Sequence, residues 1–113
     1  VESRTLIVAR LNQADRQAVA DIFAESDATD LPHLIGARRR SLFWFHGLYF
    51  HLVESRQDIN SSLYQARSHP LYDDIHHKLA RYMTPYDPDW KEPKDSMAEL
   101  FYSWEANDSI DRS

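Results

Sequence analysis

Two side chains here are well matched for proton and oxyanion chemistry: a guanidinium at Arg40 and an imidazole at His51. A guanidinium does not deprotonate in proteins, so it can hold a developing oxyanion. An imidazole exchanges a proton near neutral pH. The two residues sit on either side of His46-Gly47, which separates the β-type runs Ser41-Leu42-Phe43-Trp44-Phe45 and Leu48-Tyr49-Phe50-His51-Leu52-Val53. A two-residue turn, with glycine supplying positive φ, sets Phe45 opposite Leu48, Trp44 opposite Tyr49, Phe43 opposite Phe50 and Leu42 opposite His51. Opposed residues share a face. One face then holds Ser41, Phe43, Phe45, Leu48, Phe50 and Leu52. The other holds Arg40, Leu42, Trp44, Tyr49, His51 and Val53. Apolar walls with a few polar groups are the makeup of pockets for flat organic molecules. A one-residue slip would separate the two sets. A plainer arrangement fits the same residues, with Arg40 in solvent at the sheet end and His51 a satisfied histidine under aromatic rings.

Asp27 is the third candidate. It lies at the end of the first amphipathic segment, near Glu25 and Asp30. Acidic groups there oppose the helix dipole. Asp27 is either a solvated loop acid or a group kept to orient an imidazole or take a proton. The other histidines carry less. His77 follows Asp73 by four residues, as a surface ion pair would. His69 is placed to cap the helix that begins at Pro70. No pair of histidines has the helical spacing of a metal site. Cysteine is absent, which removes thiolate chemistry and disulfides.

These side chains must be positioned by a short chain. It has 113 residues, enough for one domain with a real core, expected to span 1–113 with a frayed polar tail at 106–113. Thr5 to Leu11 reads as a buried strand. Asn12 is a candidate helix cap, and Ala18, Val19, Ile22 and Phe23 give a helix over about 13–26 that stops before Pro32. The hairpin follows. Ile59 to Arg67 forms a second helix, and Leu71, Ile75, Leu79 and Tyr82 a third. Residues 84–96 hold three prolines and no period, so they form a loop, either a lid or an arm packed on a partner chain. Met97 to Glu105 reads as the last strand. The order predicts an α+β fold of the ferredoxin-like split β-α-β kind. Four antiparallel strands would carry helices on one face. The bare face then calls for a second copy, giving a homodimer and a dimeric α+β barrel.

Composition excludes several classes. The net charge is −5 and only Arg38, Arg39 and Arg40 cluster, a thin footprint for nucleic acid. No run approaches the ~20 apolar residues of a membrane span, and Val1-Glu2-Ser3-Arg4 opens no secretory signal, so a cytoplasmic location is expected. Only two glycines occur, and neither a dinucleotide fingerprint nor a phosphate loop can be written.

Further motifs recur in order along nearly the whole chain: Leu34-Ile35-Gly36-Ala37-Arg38-Arg39-Arg40, Gln65-Ala66-Arg67-Ser68-His69-Pro70-Leu71, Pro85-Tyr86 and Phe101-Tyr102-Ser103-Trp104. With the hairpin, they resemble the tetracenomycin F2 cyclase family. The stretches Phe23-Ala24-Glu25-Ser26-Asp27 and Gly47-Leu48-Tyr49-Phe50-His51 are similar to cyclases of spore-pigment pathways. The resemblance implies a dimeric ferredoxin-like fold and regiospecific aldol cyclisation of a partly cyclised aromatic polyketide, with no cofactor and no metal. It implies Asp27, Arg40 and His51 as the acting residues, with Ser26 beside them, and the mixed hairpin face sets Leu42, Trp44 and Tyr49 at the substrate. Transient contact with an acyl carrier protein or other synthase subunits goes with it. Where the family has a histidine, this chain has Ser26, so a second imidazole is missing beside Asp27. Two other activities suit the same fold: a cofactor-free, quinone-forming monooxygenase, and a non-catalytic subunit that shields a reactive chain.

Overall fold

In the computed structural model, which describes residues 3–106, the sheet is built around its first strand. β1 (Ser3–Leu11) lies between β3 and β4 in the order β2-β3-β1-β4, all antiparallel. β2 is Ala37–Phe45, β3 is Leu48–Ser55 and β4 is the short Met83–Pro85.

The hairpin register is the one that the two-residue turn dictates. Phe45 pairs with Leu48, Trp44 with Tyr49, Phe43 with Phe50 and Leu42 with His51. Both turn residues take positive φ, 47° at His46 and 83° at Gly47, which matches the twist of the flanking strands. β3 alternates strictly. Tyr49, His51, Val53 and Ser55 are buried, and the residues between them are half-buried. A bulge between Ala37 and Arg39 lengthens β2 beyond the expected start.

Helices cover the buried face. α1 (Arg16–Asp27) follows a 3-10 turn at Gln13–Asp15. Asn12 does not cap with its side chain; its carbonyl accepts the Asp15 N–H at 3.0 Å. Pro32 does not only stop a helix. It opens a short one, α2 (Leu31–Ile35), because proline suits a first turn, and Gly36 ends it at φ 87°. α3 is Asn60–Ala66 and α4 is Pro70–Ala80. His69 caps α4, its Nδ1 accepting the Leu71 N–H at 3.1 Å. Leu11, Val19, Phe23, Leu31, Tyr49 and Ile75 form one core between sheet and helices.

The expected last strand at 97–105 does not form. Met97 makes one isolated bridge to Ile7, and the Ala98 N–H donates to the Leu6 carbonyl at 2.7 Å. Beyond that the segment finds no strand to pair with among the described residues. The fourth strand is instead Met83–Pro85, which runs into the start of the region expected to be loop, and it pairs with the end of β1 at Ala9–Leu11. Leu100, Phe101, Tyr102 and Trp104 are left in solvent, with Phe101 94% and Trp104 73% exposed. Phe43 and Phe45 are exposed on the bare sheet face. Of the expected frayed tail, residues 107–113 lie outside the described residues.

Candidate active site

Asp27, Arg40 and His51 meet because three elements converge. His51 points inward from β3, and Arg40 reaches it from β2 across the strand pair. α1 runs over the hairpin and delivers Asp27 from its last turn. Arg40 stands in the middle. Its Nε lies 3.1 and 3.2 Å from the two Asp27 carboxylate oxygens, and its Nη2 donates to Oδ1 at 2.8 Å. Its Nη1 lies 2.7 Å from His51 Nε2. A guanidinium only donates, so His51 Nε2 accepts, which assigns the ring proton to Nδ1. Asp27 therefore orients the guanidinium. It reaches the imidazole only through Arg40.

Phe23, one helical turn before Asp27, is the floor of this cluster. Its ring meets the His51 ring edge-on at 5.0 Å, and the Arg40 guanidinium carbon lies 4.7 Å from its centre. His51 is left 6% exposed, while the Arg40 and Asp27 side chains are 16% and 39% exposed. Burial, and then the positive charge of Arg40, push the His51 pKa down to about 3. The imidazole is neutral at physiological pH. Burial holds the Tyr49 phenol above its ordinary range, with Arg40 partly opposing, so it stays protonated.

The depressed His51 pKa carries a stability consequence. Below the unfolded value of about 6.5 the unfolded chain takes a proton that the folded chain refuses. Stability from this group is complete above pH 6.5 and is lost as the pH falls towards 3. The slope approaches about 1.4 kcal/mol per pH unit. Urea unfolding at pH 6.5 and 5 is expected to show this loss in the wild type and a smaller one in His51→Gln. Equal losses in both proteins would remove His51 as the cause.

Open space lies beyond Tyr49, and Asp27, Arg40 and His51 do not themselves line it. A cleft of about 550 Å³ runs between the first turns of α1 and the hairpin, and Leu42, Trp44 and Tyr49 all line it. Trp44 is fixed there by donating Nε1–H to the Leu11 carbonyl at 2.8 Å. Tyr49 links cleft and cluster, its ring centre 6.1 Å from that of His51. Ser26 is not brought to this place. Successive helix residues are turned by about 100°, so Ser26 leaves the Asp27 direction. It lines a separate crevice of about 30 Å³ towards α4, with Glu25, Asp74 and Lys78.

Two contributors were not singled out from the sequence. Phe23 was visible only as a core residue. Arg16 lines the cleft with its guanidinium carbon 5.2 Å from the Trp44 ring centre. The signal for Arg16 was helical phase: it precedes Val19 by three residues and Phe23 by seven, which turns it towards the hairpin although it stays exposed.

Known proteins agree with this architecture. Tetracenomycin F2 cyclase of Streptomyces glaucescens is 56% identical over 106 residues, 94% of this chain and 97% of that protein. The solved structure of that type II polyketide cyclase superposes with a TM-score of 0.88 at 54% identity, over 93% of this chain and 99% of the other. A putative antibiotic biosynthesis monooxygenase from Nitrosomonas europaea shares the fold alone, at 10% identity and a TM-score of 0.53, over 75% and 80% of the two chains. Residues 3–105 match the polyketide synthesis cyclase family, and with a close relative aligned over nearly its whole length, the chain belongs to that family.

Proposed function

We propose that this protein closes a ring in a partly cyclised aromatic poly-β-ketone by intramolecular aldol condensation, followed by loss of water. The observation that carries the reading is the Asp27–Arg40–His51 chain, joined through Tyr49 to an aromatic-walled cleft.

A methylene between two carbonyls is already acidic, so modest base strength suffices. In the resting protein the His51 Nε2 lone pair is occupied by Arg40 Nη1. A substrate carbonyl oxygen at Arg40 takes over that N–H and frees the lone pair. His51 then accepts the methylene proton while the enolate oxygen gathers charge against the guanidinium. The new negative charge offsets part of the cost of charging a buried imidazole beside Arg40. The enolate carbon attacks a second carbonyl carbon of the same chain, and the resulting alkoxide takes the proton back from His51. Loss of a further α-proton and of hydroxide, protonated as it leaves, gives water and the double bond that completes the ring. Electrons balance within the chain, so no oxidant or bound cofactor enters. Leu42, Trp44 and Tyr49 hold the chain bent, and proximity selects the carbonyl that reacts.

Mass spectrometry of the product formed with a minimal aromatic polyketide synthase and its earlier cyclase tests this. A product one water lighter, formed at the same rate without oxygen, is expected. Gain of an oxygen atom and dependence on O₂ would replace the proposal with the monooxygenase reading.

The active species is proposed to be a homodimer. Phe43 and Phe45 on the bare sheet face and the exposed arm at Leu100–Trp104 support it, since contiguous apolar surface marks an interface. Light scattering is expected to give twice the chain mass, and a monomer at micromolar concentration would refute it. No helix among the described residues is long and apolar enough to cross a membrane, and the compartment proposed is the cytoplasm.

A further inference from the structure

We propose that Arg16, set over Trp44 at the end of the cleft away from Arg40, binds the anionic terminus of the polyketide and so fixes which carbonyl arrives at His51. The proposal rests on the cyclase reading and adds a second recognition point to it.

Arg16 lines the cleft, and Arg40 lies past its other end, across Tyr49 and His51. α1 lies along the hairpin with Arg16 near Trp44 at one end and Asp27 on Arg40 at the other. Eleven helical steps separate Arg16 from Asp27, about 16 Å at 1.5 Å per residue. Four strand steps separate Trp44 from Arg40, about 13 Å. Between them lie Val19, Leu42 and Tyr49. That span is longer than a single ring, so a molecule anchored at one end presents a defined interior carbonyl at the other.

The two guanidiniums differ in charge balance. Arg40 is paired with Asp27. Arg16 makes no ion pair among the described residues and spends only its Nε, donated to the Gln13 carbonyl at 3.1 Å. The neighbouring Gln17 is committed to Asp21 at 2.8 Å. Arg16 is exposed, and its remaining donors are free for a ligand lying against the Trp44 ring. A poly-β-ketone is uncharged along its length, and its anionic groups lie at its end. That end carries the carboxylate of a released chain, whose two oxygens accept from a planar guanidinium.

The test uses Arg16→Met, which keeps an apolar stem over Trp44 and removes the charge, and Arg16→Lys, which restores it. Calorimetry with anthraquinone-2-carboxylate, and with its neutral amide, reads binding without turnover. The carboxylate is expected to bind wild type about ten- to a hundredfold more tightly than Arg16→Met, with Lys intermediate and the amide indifferent to all three. In turnover, Arg16→Met is expected to raise KM by a similar factor and to spread the product among ring isomers, with kcat nearly kept. An effect with free acid as substrate supports the carboxylate site, and an effect confined to carrier-loaded substrate would overturn it. Equal carboxylate affinity in wild type and Arg16→Met, with unchanged KM and product ratio in both presentations, would overturn the proposal. If the carboxylate difference is found but no ring closes in any variant, the anion site stands and the cyclase reading fails.

Discussion

Replacing Arg40 with alanine is expected to slow ring closure by about 10²–10³-fold, the usual cost of removing one oxyanion donor. The loss should appear in kcat as well as kcat/KM, because the charge that Arg40 meets is present only as the enolate forms. Arg40→Lys keeps a cation but not the fork that spans Asp27 and His51, so it should recover only part of the rate. Asp27→Asn leaves the guanidinium in place with its orientation loosened, and should fall between wild type and Arg40→Ala. Steady-state kinetics on the purified variants checks the order. Wild-type kcat in Arg40→Ala would remove the guanidinium from the chemistry.

His51→Ala is expected to lower turnover by about 10²–10⁴-fold, the range for a positioned general base. Adding Arg40→Ala to it should cost far less than the product of the two single losses, because the residues act as one unit. The pH profile is a sharper readout than the rate. His51 acts in its neutral form, and its pKa of about 3 keeps it neutral at every pH above that. The kcat/KM of the free enzyme should therefore show no acid limb between pH 5.5 and 8. A limb near 6.5, where an exposed histidine titrates, would show that the working imidazole is not the buried one described here.

The hairpin chemistry was legible in the sequence because it rests on one local feature. A two-residue turn at His46-Gly47 fixes register, and register alone puts Arg40, Leu42, Trp44, Tyr49 and His51 on one face. What the sequence could not carry was tertiary. Nothing in Asp27's neighbours says that it will meet the guanidinium instead of the imidazole, since that depends on where α1 crosses the hairpin. The depth of His51 follows from Phe23 packing against it, and this burial turns an ordinary titrating group into a neutral one. Ser26 entered the expectation because it stands where the family has a histidine, whereas the helix turns it towards α4. The strand expected at 97–105 has the right residues, but a strand also needs a neighbour. Past Ala98 the described chain supplies none, while the unremarkable Met83–Pro85 finds β1 beside it. Arg16 is exposed, as charged residues early in a helix usually are, and only its phase with Val19 and Phe23 sets it beside Trp44.

The central claim is that Arg40 stabilises an enolate. Its most direct test is the ultraviolet spectrum of a bound aromatic 1,3-diketone that cannot cyclise. At pH 7 the account predicts that wild type binds it as the enolate, and that Arg40→Ala binds it as the neutral enol. A neutral enol on both proteins, or an enolate on both, would contradict the account.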